Sequence, residues 1–112
     1  MNYQHPRTED IRLEMVLSAL GSPIRLAVLR VLSDFDEHSC GGMLPNLPRS
    51  TKTHHFRILR ESGVVWQRQV GRDFYLLLRQ KDLEARFPGL LKSVLRTLTR
   101  DAPTEGALRE YL

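Results

Sequence analysis

The sequence predicts a mainly α-helical chain with one β-hairpin, an α+β fold in the order helix, helix, short helix, turn, helix, hairpin, helix. Three observations carry that prediction. Apolar residues recur at helical spacing in the stretches before Gly63. After Gly63 the period shortens to that of strands, and helical spacing returns from Leu83. Turn residues fall between these runs, at Gly21-Ser22-Pro23, Pro45-Asn46-Leu47-Pro48 and Gly71-Arg72-Asp73.

Taken in order, Thr8 is placed to cap a first helix, with Glu9 and Asp10 near its positive end. Ile11, Leu13, Val16, Leu17 and Leu20 follow until Gly21 stops the run. Ser22-Pro23 restarts the chain as an N-cap followed by proline at the first helical position. Ile24, Leu26, Ala27, Leu29, Val31 and Leu32 make this second helix apolar around most of its circumference, as a core helix should be. A short third helix is expected over Ser39–Leu44, although Gly41 and Gly42 each cost it about 1 kcal/mol against alanine. The fourth helix spans Ser50–Ser62 and ends at Gly63. Val64–Val70 and Phe74–Leu78 are strands joined by the glycine turn. A last helix covers Asp82–Arg100, interrupted near Pro88-Gly89. Residues 1–100 form one domain and residues 101–112 a loose tail. A short helix, a tight turn and a second helix make a helix-turn-helix, and the hairpin after it supplies a wing.

A chain of 112 residues, 41 % of them hydrophobic, has one modest core, and self-association would bury what that core leaves uncovered. Seventeen Lys+Arg against thirteen Asp+Glu give a net charge of +4, which suits a polyanion without singling one out. All the basic residues except Lys52, Lys81 and Lys92 are arginines, whose planar forks match phosphate and guanine edges. Cys40 is the sole cysteine, so no internal disulfide forms and a reducing compartment is expected. The polar stretch Met1–Arg7 is unlike a signal sequence, and no apolar run approaches the roughly 20 residues that span a bilayer. The expectation is a soluble cytoplasmic protein with no membrane partner.

The fourth helix separates into two faces at about 100° per residue. Thr51, His55, Ile58, Leu59 and Ser62 fall on one side with Phe56 at its edge, ready to pack on the second helix. Ser50, Thr53, His54, Arg57 and Glu61 fall on the other, flanked by Arg49 and Arg60, with Glu61 the one acid, at the C-terminal end. Base edges in a major groove need short donors and acceptors near a helix N-terminus and longer forks further along. The free first-turn N–H groups beside Arg49 and Ser50 also suit a phosphate. Lys52 lies nearer the packed face, and His55 reads as a half-buried histidine with its own partner rather than a base reader. Arg68 and Arg72 flank the hairpin turn, a shape that reaches phosphates or the adjacent minor groove, with Asp73 placed to orient Arg72. The bland alternatives are an ordinary solvated helix face and an ordinary exposed hairpin. The coincidence of basic residues, turn and wing favours the nucleic-acid reading.

These residues also carry a family resemblance. Ala19-Leu20-Gly21-Ser22-Pro23-Ile24-Arg25-Leu26 resembles the opening of the second helix in ArsR-type winged helix-turn-helix regulators. Ser50-Thr51-Lys52-Thr53-His54-His55-Phe56-Arg57-Ile58-Leu59-Arg60-Glu61-Ser62-Gly63-Val64-Val65 is similar to that family's recognition helix, and the likeness covers about residues 15–80. It implies a homodimeric transcription repressor that binds imperfect palindromes and is released by an effector. It also implies that the first and last helices form the dimer interface, here Leu13, Val16, Leu17, Leu20, Leu91, Val94, Leu95 and Leu98.

Other chemistries are poorly served. Many members of that family sense metals through a Cys-x-Cys pair or through Asp/His pairs on the last helix. Here the third-helix region offers only His38 and Cys40, and the last helix has no histidine, so neither a metal nor another cofactor is expected. Nothing near Cys40 in sequence favours its thiolate as a redox sensor. Ser50 and His54 share a face four residues apart, but no orienting acid or oxyanion device accompanies them, so the reading is not an enzyme. A protein-interaction module and a non-specific architectural DNA binder are the other uses open to such a fold.

Overall fold

The protein, here a computed structural model, is described over residues 4–112, and the first three residues of the polar N-terminal stretch lie outside the described residues. Ser22 sets the register of the helical half. Its hydroxyl accepts the Arg25 N–H at 3.4 Å and Pro23 opens α2, Pro23–Val31. Ala27, Val28 and Leu29 on that helix are wholly buried, because α1 (Leu13–Leu20), α3 (Arg49–Glu61) and α5 (Leu90–Arg100) all pack against it.

The chain before α1 departs from expectation. Thr8 opens only a 3-10 turn, Thr8–Asp10, and α1 begins at Leu13 with no side-chain cap. The Thr8 hydroxyl donates instead to Asp82 at 2.8 Å, a contact across the whole chain that local pattern cannot reveal. The third helix is likewise reduced. His38–Ser39 is a short strand, β1, and only Cys40–Gly42 turns, as a 3-10 helix. The two glycines leave too little helix propensity, and pairing of His38 with Leu76 and Ser39 with Tyr75 supplies the backbone bonds instead.

After α3, Gly63 adopts φ +87°, and a Cβ there would sit 2.6 Å from Ile11 Cγ1. The residue is thus both a helix stop and a point of close approach. β2 (Val65–Val70) and β3 (Asp73–Leu78) form the hairpin, with Val70 opposite Asp73 and the turn made by Gly71-Arg72. Gly71 takes φ +62° and Arg72 does not follow it, the pattern of a type II′ turn. The sheet order is β1-β3-β2. The last long helix is interrupted as Pro88-Gly89 predicts, giving α4 (Gln80–Arg86) and α5.

Two expectations are corrected here. Residues 101–112 are not a loose tail. Asp101 caps α6, Ala102–Leu108, through the Thr104 N–H, and Leu108 is buried to 1 % exposure where α6 meets α2 and α5. Burying one leucine contributes about 1.5–3 kcal/mol, and half-buried Tyr111 packs against the same core. Among the residues expected at a dimer interface, Val16, Leu91 and Leu98 lie inside the protomer's own core, and only an edge of Leu91, 5 % exposed, reaches the surface. Leu13 and Leu17 remain 44 % and 49 % exposed, and Leu20, Val94 and Leu95 are half-buried.

The wing is anchored by a charge the sequence does not announce. Arg79, directly after β3, has its side chain wholly buried and its guanidinium 3.7 Å from the centre of the Trp66 ring. Its Nε donates to Asp82 at 3.0 Å and its Nη1 to the Pro6 carbonyl at 2.7 Å. Partial burial alone would raise the Asp82 carboxyl, but hydrogen bonds from Thr8 and Arg79 hold it below the ordinary carboxylate range. On the adjacent edge of β2, the Gln67 N–H donates to His5 Nε2 at 2.9 Å. The N-terminal arm, the wing's base and α4 are therefore fastened together at one point.

Candidate nucleic-acid interface

The two faces of α3 are realised. Phe56, Leu59 and Ser62 are buried, with the Ser62 hydroxyl donating to the Leu59 carbonyl at 3.0 Å. Arg49, Ser50, Thr53, His54 and Arg57 are exposed on the opposite side. Pro48 stands at the N-cap and has no side chain able to accept a hydrogen bond. The first-turn N–H groups of α3 thus lack a side-chain cap, and the helix dipole adds partial positive charge at the same end. Thr53 donates its hydroxyl proton to the Arg49 carbonyl at 2.9 Å, which leaves the oxygen's lone pairs directed outward as acceptors.

Between α3 and the wing runs a cleft of about 620 Å³. Arg49, Lys52, Arg57 and Arg60 line it from the helix, and Arg72 lines it from the turn of the hairpin. Asp73 is the sole acid in that lining. The site is a trough with cations on both walls, joined to an exposed polar helix face. Lys52 and Arg60 are half-buried, and Arg60 Nη1 also donates to Gln67 Oε1 at 2.8 Å, which ties α3 to the base of the wing. Ser50 and His54 share the exposed face without lining the trough. Arg68 is placed differently from Arg72. Its Nε is 2.9 Å from both oxygens of Glu37 and its guanidinium lies 5.8 Å from the Tyr75 ring centre, so it braces the outer sheet.

His55 has the partner its pattern implies, though the partner itself was not legible. Arg25 Nη1 approaches His55 Nδ1 to 3.0 Å while Arg25 Nε donates to the Ala19 carbonyl at 2.6 Å. A guanidinium can only donate, so His55 is neutral here and carries its proton on Nε2. Burial, then the Arg25 charge, then His54, hold the His55 imidazole below its ordinary value of 6.5. One arginine thereby locks the end of α1 and the start of α2 to the buried side of α3. The unfolded chain binds a proton at His55 more readily than the folded one, so this contribution to stability is complete above pH 6.5 and is lost as the pH falls below it. We expect His55→Gln to flatten the decline in urea midpoint between pH 7 and 5 relative to the native chain. An unchanged slope would assign that decline to other groups.

The remaining sequence candidates have other engagements. His38 Nε2 lies 2.8 Å from Asp34, whose carboxyl is held low first by the Asp36 N–H and then by His38. Cys40 is 9 % exposed in the core, and burial pushes its thiol up to about 11 despite the charge of Lys52 nearby. Such a thiol is a poor nucleophile at neutral pH. Among the described residues no single helix is long and apolar enough to cross a membrane.

Comparison with known proteins places this geometry. No family model matches the chain. It is 32 % identical over 91 residues to YceK of Bacillus subtilis, an uncharacterized HTH-type transcriptional regulator, covering 79 % of this chain and 91 % of the relative. With a winged-helix arrangement in the structure, α3 followed by the β2–β3 hairpin, and that degree of likeness over most of both chains, the protein belongs to the HTH-type transcriptional regulators.

Proposed function

We propose that the protein is a homodimeric, sequence-specific repressor of the ArsR type, binding double-stranded DNA in the cytoplasm and released by a small effector. The observation that carries this reading is the exposed set Ser50, Thr53, His54 and Arg57 on α3, continuous with a trough lined by four cations of α3 and by Arg72 beside Asp73. In the proposed complex, α3 enters the major groove. Thr53, His54 and Arg57 meet base edges, and Arg49 with the uncapped first turn meets a phosphate. Lys52 and Arg60 strengthen the positive field of the trough, and Arg72 reaches the backbone or the neighbouring minor groove. Arg68, neutralised by Glu37, contributes positive charge to the duplex when that ion pair opens.

Dimerisation is supported by Leu13 and Leu17, one helical turn apart on α1 and each nearly half exposed, beside half-buried Leu20. Val94 and Leu95 of α5 extend the same apolar character, whereas Val16, Leu91 and Leu98 support it from the core. A two-fold pair would set the reading helices about 34 Å apart, matching half-sites one DNA turn apart in an imperfect palindrome. Without the family's usual metal ligands, the effector is expected to be an organic molecule rather than a metal ion.

Selection of bound duplexes from a random pool tests the proposal. Enrichment of a pseudo-symmetric site, bound about a thousandfold or more above random sequence, is the expected result. Uniform weak binding with no emerging half-site would refute sequence-specific recognition.

A further inference from the structure

A second cleft, of about 500 Å³, lies between α5, α4 and the segment that follows α2. Its apolar wall is made by Leu91, Leu95 and Phe35. Along its rim stand Lys92, Arg96 and Arg100, spaced four residues apart on α5. Like charges at that spacing repel, and none of the three forms an ion pair with an acid among the described residues. The acid in the lining, Glu84, is engaged in accepting the Gly89 N–H at 3.2 Å.

Phe35 adds an independent observation. It adopts φ +64°, a left-handed conformation unusual for a bulky residue, and the residue is 41 % exposed and lines this cleft. The backbone is held in a disfavoured state and displays an aromatic ring at a concave surface instead of burying it. Strain of this kind concentrates where a ligand is clamped. The cleft also falls within the volume range of small-molecule sites.

We propose that this cleft binds an amphipathic carboxylate, its apolar body against Phe35, Leu91 and Leu95 and its anionic head on Arg96 with Lys92 or Arg100. Leu90 and Val94 project from nearly the opposite side of α5 to Lys92 and Arg96, at about 100° per residue. Leu90 faces Val16 and Leu20 across an apolar crevice that shares Leu91 with the cleft, so the cleft adjoins the proposed dimer face at Leu91 and Leu95. That such a ligand is the effector rests on the DNA-binding reading above; the binding itself does not.

Decanoate is a suitable probe, with decan-1-ol as its uncharged counterpart, titrated calorimetrically into the full chain. Decanoate should bind one molecule per chain, and decan-1-ol at least about tenfold more weakly, since a charge-assisted contact is lost. Arg96→Gln should weaken decanoate by a similar factor, and Lys92→Gln provides a second variant at an exposed position. No binding of decanoate, equal binding of acid and alcohol, or Arg96→Gln and Lys92→Gln variants that both bind as tightly as the native chain would overturn the assignment. The duplex emerging from selection is titrated into the same samples. A chain that binds the duplex but not decanoate sinks the cleft alone, whereas one that binds decanoate with no duplex preference upholds the cleft and sinks the repressor reading.

Discussion

Replacing Arg79 by methionine is expected to lower the free energy of unfolding by about 3 kcal/mol, read as a fall in urea midpoint at unchanged slope. The value sits at the low end of the range for breaking a buried ion pair because Asp82 keeps 24 % exposure and the Thr8 hydroxyl as a donor. Three losses combine: the Asp82 pair, the Pro6 carbonyl contact and the stack on Trp66. Arg79→Lys distinguishes charge from geometry. An ammonium cannot stack as a plane or donate to Asp82 and Pro6 as a fork, so it should restore less than half of the loss. A methionine variant within 1 kcal/mol of the native chain would show that the arm and the wing are held by packing alone. The consequence reaches function, because the same arginine fixes the base of the hairpin that carries Arg72 to the trough.

The second large effect belongs to recognition. Arg57→Ala is expected to cost about 1–3 kcal/mol at the selected site and to relax base preference at the position it reads, with little effect on random duplexes. Arg57 is exposed at mid-helix and lines the trough, so the change removes a fork without opening the core. Arg72→Ala should behave differently. Placed at the wing's turn, it should weaken all duplexes alike and reduce the salt dependence of binding by about one phosphate contact. Equal behaviour of the two variants would contradict the division between a reading helix and a backbone-contacting wing.

Much of this molecule is legible residue by residue. Ser22-Pro23 fixes the start of α2, Gly63 the end of α3, and Gly71 the hairpin turn, each through a local conformational requirement that sequence states directly. The two faces of α3 follow from helical periodicity, and the exposed and buried sets agree with it. What escaped was non-local. Thr8 bonds Asp82 rather than capping a helix, and His38–Ser39 pairs with β3 because a distant strand offers an edge. Residues 101–112 have sparse apolar character, yet Leu108 and Tyr111 pack on the core behind an aspartate cap. The burial of Val16, Leu91 and Leu98 was equally invisible. Periodicity marks a helix's apolar stripe, but it does not say whether the partner surface belongs to the same chain. Arg68 and Arg72 look alike in sequence, but Glu37 and Tyr75 engage Arg68 on β2 while Arg72 lines the trough from the turn.

The central claim is that the exposed face of α3 lies in the major groove, and methylation interference on the selected duplex tests it most directly. Guanine N7 faces the major groove and adenine N3 the minor, so one modified pool interrogates both. The account predicts that N7-methylguanine within each half-site is excluded from the bound fraction, with N3-methyladenine excluded only at flanks that the wing could reach. Free tolerance of N7 methylation at half-site guanines, combined with exclusion confined to the minor groove, would contradict it.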